Sequence, residues 1–277
     1  MAGRGVAPLA CCHWIGPDRG SSAVGVSGAG ARMNIISSSY GNDSMSLIQW
    51  AHERDLPDVT VVYCDTGWAA PYWPQRVQDG ERLAKKYGFA TVQAKSLGMK
   101  ELVRMKKGWP GNGQQFCTAH LKGVPFLQWA DENDVDCKAT VLIGKRRAES
   151  EARKLTPEFI EASEHHGGRR VWHPLYNYSD EQRNMLLERA GFDVLPHRSM
   201  ECNPCVNANR GDFLRLTKGE IERVNDLEVE IGKPMFRPKR FNAIGIHGVV
   251  VWAKDGRKRA NIESEESECA SLFGCGV

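Results

Sequence analysis

A short apolar run, Asn34-Ile35-Ile36, passes into Ser37, Ser38 and Ser39 and then into Tyr40 and Gly41. From Asp43-Ser44 onward the apolar positions change to Leu47, Ile48 and Ala51, which is helical spacing, so the pattern predicts a strand, a tight turn and a helix start. Val59 to Tyr63 is a continuous β-branched and aromatic run, as expected of a strand buried on both faces of a parallel sheet. A helix over about 71–87, a short strand near Thr91 to Gln93, a helix from Ala119 to Asn133 and a strand over Lys138 to Ile143 continue the alternation, which predicts an α/β fold. Ser179 with Gln182 forms a capping-box pattern for a helix that stops at Gly191. Asp212 to Ile231 is charged and amphipathic, predicting one or two helices, and Val249-Val250-Val251-Trp252 reads as an edge strand. His165-His166 falls in a polar stretch read as exposed loop.

Composition narrows the class. The 277 residues can bury one sizeable core, and a net charge of +3 gives no bulk basic character, so a nucleic-acid partner has no support from charge. The charged fraction of 26% and the absence of any apolar run long enough to span a bilayer predict a soluble, cytoplasmic chain with no membrane partner. Residues 1–32 are rich in Gly, Ala and Ser, include Cys11-Cys12, and read as a disordered N-terminal extension. Nine cysteines without the regular spacing of a secreted disulfide scaffold favour metal binding or thiol chemistry.

Three strand ends carry candidate chemistry. The turn after the first strand offers backbone N–H groups, the positive end of a helix dipole and the hydroxyls of Ser38, Ser39 and Ser44 to one point, which suits a phosphate. Gly41 lets the backbone approach an anion closely. The Gly-Lys-Ser/Thr ending of a Walker loop is absent. Val59 to Tyr63 ends in Cys64-Asp65-Thr66-Gly67, so Asp65 and Thr66 should face the same crevice, while Cys64 reads as a small core residue. The strand over Lys138 to Ile143 ends in Gly144-Lys145-Arg146-Arg147-Ala148-Glu149-Ser150-Glu151-Ala152-Arg153, and arginines at a strand's carboxyl end can clamp phosphate or sulfate through two parallel hydrogen bonds. Between them, Cys117 stands before a helix, where a positive N-terminus favours thiolate, and Lys122 follows on that helix.

These elements together resemble the phosphoadenosine phosphosulfate (PAPS) reductase branch of the adenine nucleotide alpha hydrolase, or PP-loop, superfamily. Ser39-Tyr40-Gly41-Asn42-Asp43-Ser44 resembles the pyrophosphate loop usually written S-G-G-x-D-S, with Asn42 replacing a frequent Gly or Lys. The Asp65-Thr66-Gly67 end, the Phe116-Cys117-Thr118 to Lys122 element, and Gly144, Arg146, Glu149, Ser150 and Arg153 follow in the family's order. The resemblance spans roughly Asn34 to Phe213. It implies an open, mainly parallel doubly wound sheet over 33–213, with 214–277 a helical or irregular extension with a cysteine-containing tail. It further implies that Ser38, Ser39, Gly41, Asn42, Asp43, Ser44, Asp65, Thr66, Gly144, Glu149, Ser150 and Arg153 bind the nucleotide, with Cys117, Lys122 and Arg146 catalytic. The substrate implied is PAPS, adenylyl sulfate or, with Mg, ATP, and a thiol electron donor is an implied partner. For the site to work, the first turn must lie open and face Asp65 and the arginines.

Cys202-Asn203-Pro204-Cys205 is a C-x-x-C pair, which fits half a zinc site, a redox dithiol or part of an iron–sulfur site. Cys117, Cys269 and Cys275 are the further thiols that would complete a four-iron cluster or a zinc site. Relatives acting on adenylyl sulfate hold a cluster on a cysteine pair at the Cys117 element and a later C-x-x-C, but here Phe116 and Thr118 flank Cys117. PAPS reductases instead use a terminal E-C-G-L-H cysteine, and Cys269 lies in Glu268-Cys269-Ala270-Ser271. DNA phosphorothioation enzymes, which combine the loop with a four-cysteine cluster, leave open an ATP pyrophosphatase that adenylates a nucleic acid or small molecule. A non-catalytic nucleotide-binding module with structural zinc is the third reading. Lys233, Arg237, Lys239 and Arg240 form a local basic cluster read as solvated surface.

Overall fold

Alternating apolar residues cannot all face one layer of helices, and the two faces of the sheet divide them. The computed structural model describes residues 32–111, 115–236 and 244–255. Its elements run β1 (Asn34–Ser38), α1 (Asn42–Glu53), β2 (Val59–Asp65), α2 (Trp73–Lys86), β3 (Ala90–Lys95), α3 (Met99–Lys106) and α4 (Phe116–Thr118). A wider π-helical turn, Ala119–Gly123, leads into α5 (Val124–Asn133), followed by β4 (Thr140–Ile143), α6 (Glu151–Lys154), β5 (Phe159–Ile160) and β6 (Arg170–Trp172). Helices α7 (Asp180–Arg189), α8 (Arg210–Arg215), α9 (Lys218–Ile231) and α10 (Gly245–Lys254) complete the described chain.

The six strands lie in the order β3-β2-β1-β4-β6-β5. All neighbours are parallel except the antiparallel pair β5 and β6. Ile36, Val61, Tyr63 and Leu142 pack with α1, α2 and α7 on one face, while Ile35, Val62, Val141 and Ile143 pack with Phe126 and Ala130 of α5 on the other. Helices therefore cover both sides, the expected doubly wound α/β arrangement. β1 pairs with both β2 and β4, so the strand order reverses there, and the carboxyl ends of β1 and β4 form the switch point at which doubly wound folds place their ligands.

Caps account for several boundaries. Ser179 Oγ accepts from the Gln182 amide at 3.2 Å while Gln182 Oε1 accepts from the Ser179 amide at 2.8 Å, so the capping box starts α7 as the sequence predicts. At the end of α5 the fully buried Arg169 bonds Asp134 (2.7 Å), Asp131 (2.9 Å) and the carbonyls of Ala130 and Asp134, joining that helix to the entry of β6.

A second core gathers Trp68, α3 and the C-terminal helices, with Leu102, Phe213, Val224, Leu227, Ile246 and Val249 buried together. The described chain from Arg32 onward forms one compact unit, and α8 runs across the boundary expected at residue 213. Two expectations are corrected. Val249 to Trp252 is not an edge strand but part of α10: Ile246, Val249, Val250 and Ala253 share a helical face buried on the second core, and that burial outweighs the local β-branched preference. His166 is not exposed; its ring packs edge-on to Phe126 and its Nδ1 lies 2.9 Å from Ser163 Oγ. Helix α3 and strand β5 were not anticipated. Among the described residues no helix is long and apolar enough to cross a membrane. Residues 1–31, Arg237, Lys239, Arg240, Cys269 and Cys275 lie outside the described residues.

Candidate functional site

The turn after β1 is held by its own hydroxyls. Ser38 Oγ accepts from the Tyr40 amide at 3.1 Å, Ser39 Oγ accepts from the Gly41 amide at 3.4 Å, and Ser39 Oγ and Ser44 Oγ stand 3.5 Å apart. Gly41 precedes α1, whose first intrahelical bond runs from the Met45 amide to the Gly41 carbonyl. Tyr40 occupies the left-handed region at φ 56°, where the resembling loops carry glycine, and its ring lies fully buried on Gly80 of α2. An added Cβ at Gly80 would come within 2.1 Å of that ring.

The strand ends converge on this turn. Gly144, just after β4, lies so close to the start of α1 that a Cβ there would stand 2.8 Å from the Asp43 carbonyl oxygen. Arg146 then reaches back, its Nε 2.7 Å from Asp43 Oδ1, and is joined on that carboxylate by Arg183 of α7 at 3.2 Å. Glu149 accepts from the Arg146 amide at 2.8 Å and is ion-paired with Arg153, while Ser150 caps α6 by accepting from the Arg153 amide. Glu149 and Ser150 thus shape the segment that presents the arginines. Lys122, Lys145, Arg146 and Arg153 are all at least nine-tenths buried around these strand ends. Burial on this scale requires charge partners, and Asp43, Glu149 and Glu201 supply three.

The second strand end is tied to a strap over Leu195–Cys205. Thr66 Oγ1 donates to the Glu201 carbonyl at 2.5 Å, Ala70 N to Met200 O at 2.9 Å, and Asn203 N to Trp68 O at 2.8 Å. The π-helical turn directs Lys122 inward, where it is ion-paired with Glu201, and Cys64 donates to the Lys122 carbonyl at 3.4 Å. Asp65 Oδ1 accepts from the Gly67 amide and is half-buried. Burial pushes the Cys64 thiol up to about 12, which leaves it protonated and inert, in keeping with a core role.

The turn does face the arginines, but it is not open. Ser38, Ser39 and Gly41 are buried, Ser199 lies on Gly41 with only 3.1 Å from its Cβ to an ideal Gly41 Cβ, and its hydroxyl has no hydrogen-bond partner. Asn42 explains the cover: its amide donates to Leu195 O at 2.9 Å and accepts from Leu195 N at 3.0 Å, so this side chain anchors the strap instead of pointing to a ligand. The contact joins residues 153 apart, and no local pattern signals it. Glu201 is likewise a site residue that the sequence did not single out.

Cys117 and Cys202 are half-buried at the edge of the same core cluster, and Cys205 is half-buried three residues on. Among the described residues no three His, Cys, Asp or Glu side chains are grouped as a metal site requires. The described thiols by themselves therefore do not fit an iron–sulfur cluster or zinc.

An uncharacterized 37.8 kDa protein in the gpa 5′ region of Escherichia phage 186 is 24% identical over 263 residues, covering 72% of this chain and 75% of that protein. A crystal structure of phosphoadenylyl-sulfate reductase from Candida auris, a phosphate complex, aligns with a TM-score of 0.41 and 15% identity over 60% of this chain and 76% of that one. The model of the phosphoadenosine phosphosulfate reductase domain matches residues 33–203, the stretch from the start of β1 to the C-x-x-C pair. A match over that much of the chain, taking in all three strand ends, makes this protein a member of the phosphoadenosine phosphosulfate reductase domain family.

Proposed function

We propose that the protein is an enzyme acting on an adenylyl nucleotide, with a sulfonucleotide such as PAPS or adenylyl sulfate as substrate and a thiol as electron donor. The observation that carries the reading is the buried Arg146 held on Asp43 at the amino end of α1, with three further buried cations, Lys145 and Arg153 after β4 and Lys122 beside the end of β2, in a chain of this family. Such a site is matched to sulfate and phosphate oxygens. In this reading Ser39, Gly41 and Ser44 hold phosphate, Asp65 and Thr66 place the adenosine, and the buried cations neutralise the sulfuryl group. Asp43 acts at one remove by orienting Arg146, and nucleotide binding requires the strap over Gly41 to shift.

Cys117 is the candidate nucleophile. Its thiolate attacks the sulfate sulfur, forming an S–S bond as the S–O bond to the nucleotide breaks, and the nucleotide leaves with that oxygen on its phosphate. A second thiolate then attacks the Cys117 sulfur and releases sulfite, so that two thiols are oxidised to a disulfide while the sulfur is reduced. The test incubates the protein and a dithiol with PAPS, adenylyl sulfate or ATP and measures sulfite and pyrophosphate. Sulfite from a sulfonucleotide, lost in Cys117→Ser with nucleotide binding retained, is the expected result. Pyrophosphate from ATP without sulfite would replace it with an ATP pyrophosphatase, and no turnover of any of the three would leave a binding module.

A further inference from the structure

Lys122 and Glu201 form an ion pair between two segments 79 residues apart, with both side chains nine-tenths buried. Burying two charges returns little net stability, because desolvation offsets their attraction. The pair is also unnecessary as a fastener. The strap is already held by the Thr66 hydroxyl, by main-chain bonds at Trp68 and Ala70 and by the two Asn42 bonds to Leu195. Two residues before Glu201, Ser199 packs its Cβ against Gly41, and its buried hydroxyl has no hydrogen-bond partner. A buried donor left unsatisfied marks a place that a further group can complete. One strap thus covers both points that attract an anion: the start of α1 through Ser199, and Lys122 through Glu201.

Resting on the nucleotide reading above, we infer that Glu201 is an internal anion occupying the Lys122 subsite, and that it competes there with the anionic group of the substrate. A substrate's sulfuryl or phosphoryl group takes the carboxylate's place on Lys122. Glu201 therefore lowers the affinity of every ligand that must displace it, while a ligand without such a group, such as adenosine, does not compete with it.

The test measures binding of PAPS and of adenosine by calorimetry to the wild-type chain, Ser39→Ala, Glu201→Gln and the double variant Lys122→Gln/Glu201→Gln. The expected result is PAPS binding roughly ten-fold or more tighter in Glu201→Gln, the scale of one charged contact no longer in competition. Adenosine binding stays unchanged, and the double variant falls below wild type for PAPS. Glu201→Asp keeps the charge but draws it back by one methylene, and gives an intermediate gain should the glutamine variant fail to fold. Ser39-dependent PAPS binding that is unchanged or weaker in Glu201→Gln and Glu201→Asp overturns the inference and leaves the nucleotide reading standing. Absence of PAPS binding by every form overturns both.

Discussion

Tyr40 is where a single residue decides the shape of the turn. An L-residue in the left-handed region costs about 1–2 kcal/mol, and here the cost is met by complete burial of the ring between β2 and α2, where it lies 5.7 Å from the Tyr63 ring. That burial is allowed only because residue 80 has no side chain. In a helix interior alanine is favoured over glycine by about 1 kcal/mol, so propensity alone predicts that Gly80→Ala stabilises. The 2.1 Å approach to the Tyr40 ring predicts the opposite sign: a net loss of roughly 1–3 kcal/mol in urea unfolding, as for other overpacked cores. Gly219→Ala in α9 meets nothing within 4 Å and should be neutral or slightly stabilising. A stabilised Gly80→Ala variant would mean that the ring does not sit on α2.

At the scale of elements, strand β6 is bracketed by two buried histidines. Burial, with nearby cations, lowers His166 to about 3 and His173 to about 4, and His173 donates from Nδ1 to the Pro157 carbonyl at 2.9 Å. Both are neutral in the fold, whereas the unfolded chain begins to protonate them near pH 6.5. Stability is therefore complete above about pH 6.5 and declines as pH falls toward the folded values, by about 2 kcal/mol per histidine at pH 5. Denaturation midpoints should drop between pH 7.5 and pH 5, and His173→Asn, which can keep the bond to Pro157, should flatten the drop. An equally steep fall in that variant would assign the acid sensitivity to other groups. His166 was not legible as buried, because the surrounding sequence is polar and its aromatic partner Phe126 comes from packing. The same reason hid α10, whose β-branched run reads as strand until its burial on the second core is known. By contrast β1, β2, β4 and the α7 cap were legible, since each carries its own local signal: a continuous apolar run or a capping box.

At the scale of the whole molecule, the strand ends could be assembled from motif order alone, but the cover over them could not. It depends on contacts such as Asn42 with Leu195 and Lys122 with Glu201, which only the folded chain brings together. Arg223 of α9 ties this cover to the C-terminal helices. Its guanidinium lies 4.2 Å from the centre of the Trp68 ring and donates to Asn203 O at 2.5 Å and Ala69 O at 3.3 Å, so one side chain joins the second core, the end of β2 and the C-x-x-C segment. Burial lowers its pKa, which measures the desolvation that these contacts offset. Arg223→Ala removes the stacking contact and two charge-assisted bonds, and should destabilise the protein by about 2–4 kcal/mol. Arg223→Lys should recover little, since an ammonium cannot both lie flat on the indole and reach two carbonyls. The loss should not be uniform. Hydrogen exchange at the Asn203 and Ala70 amides, which close the strap onto residues 66–70, should accelerate, while the amides of β1 and β4 stay protected by their parallel ladders. Equal acceleration at β1 would show that the C-terminal helices support the whole sheet and not the cover alone.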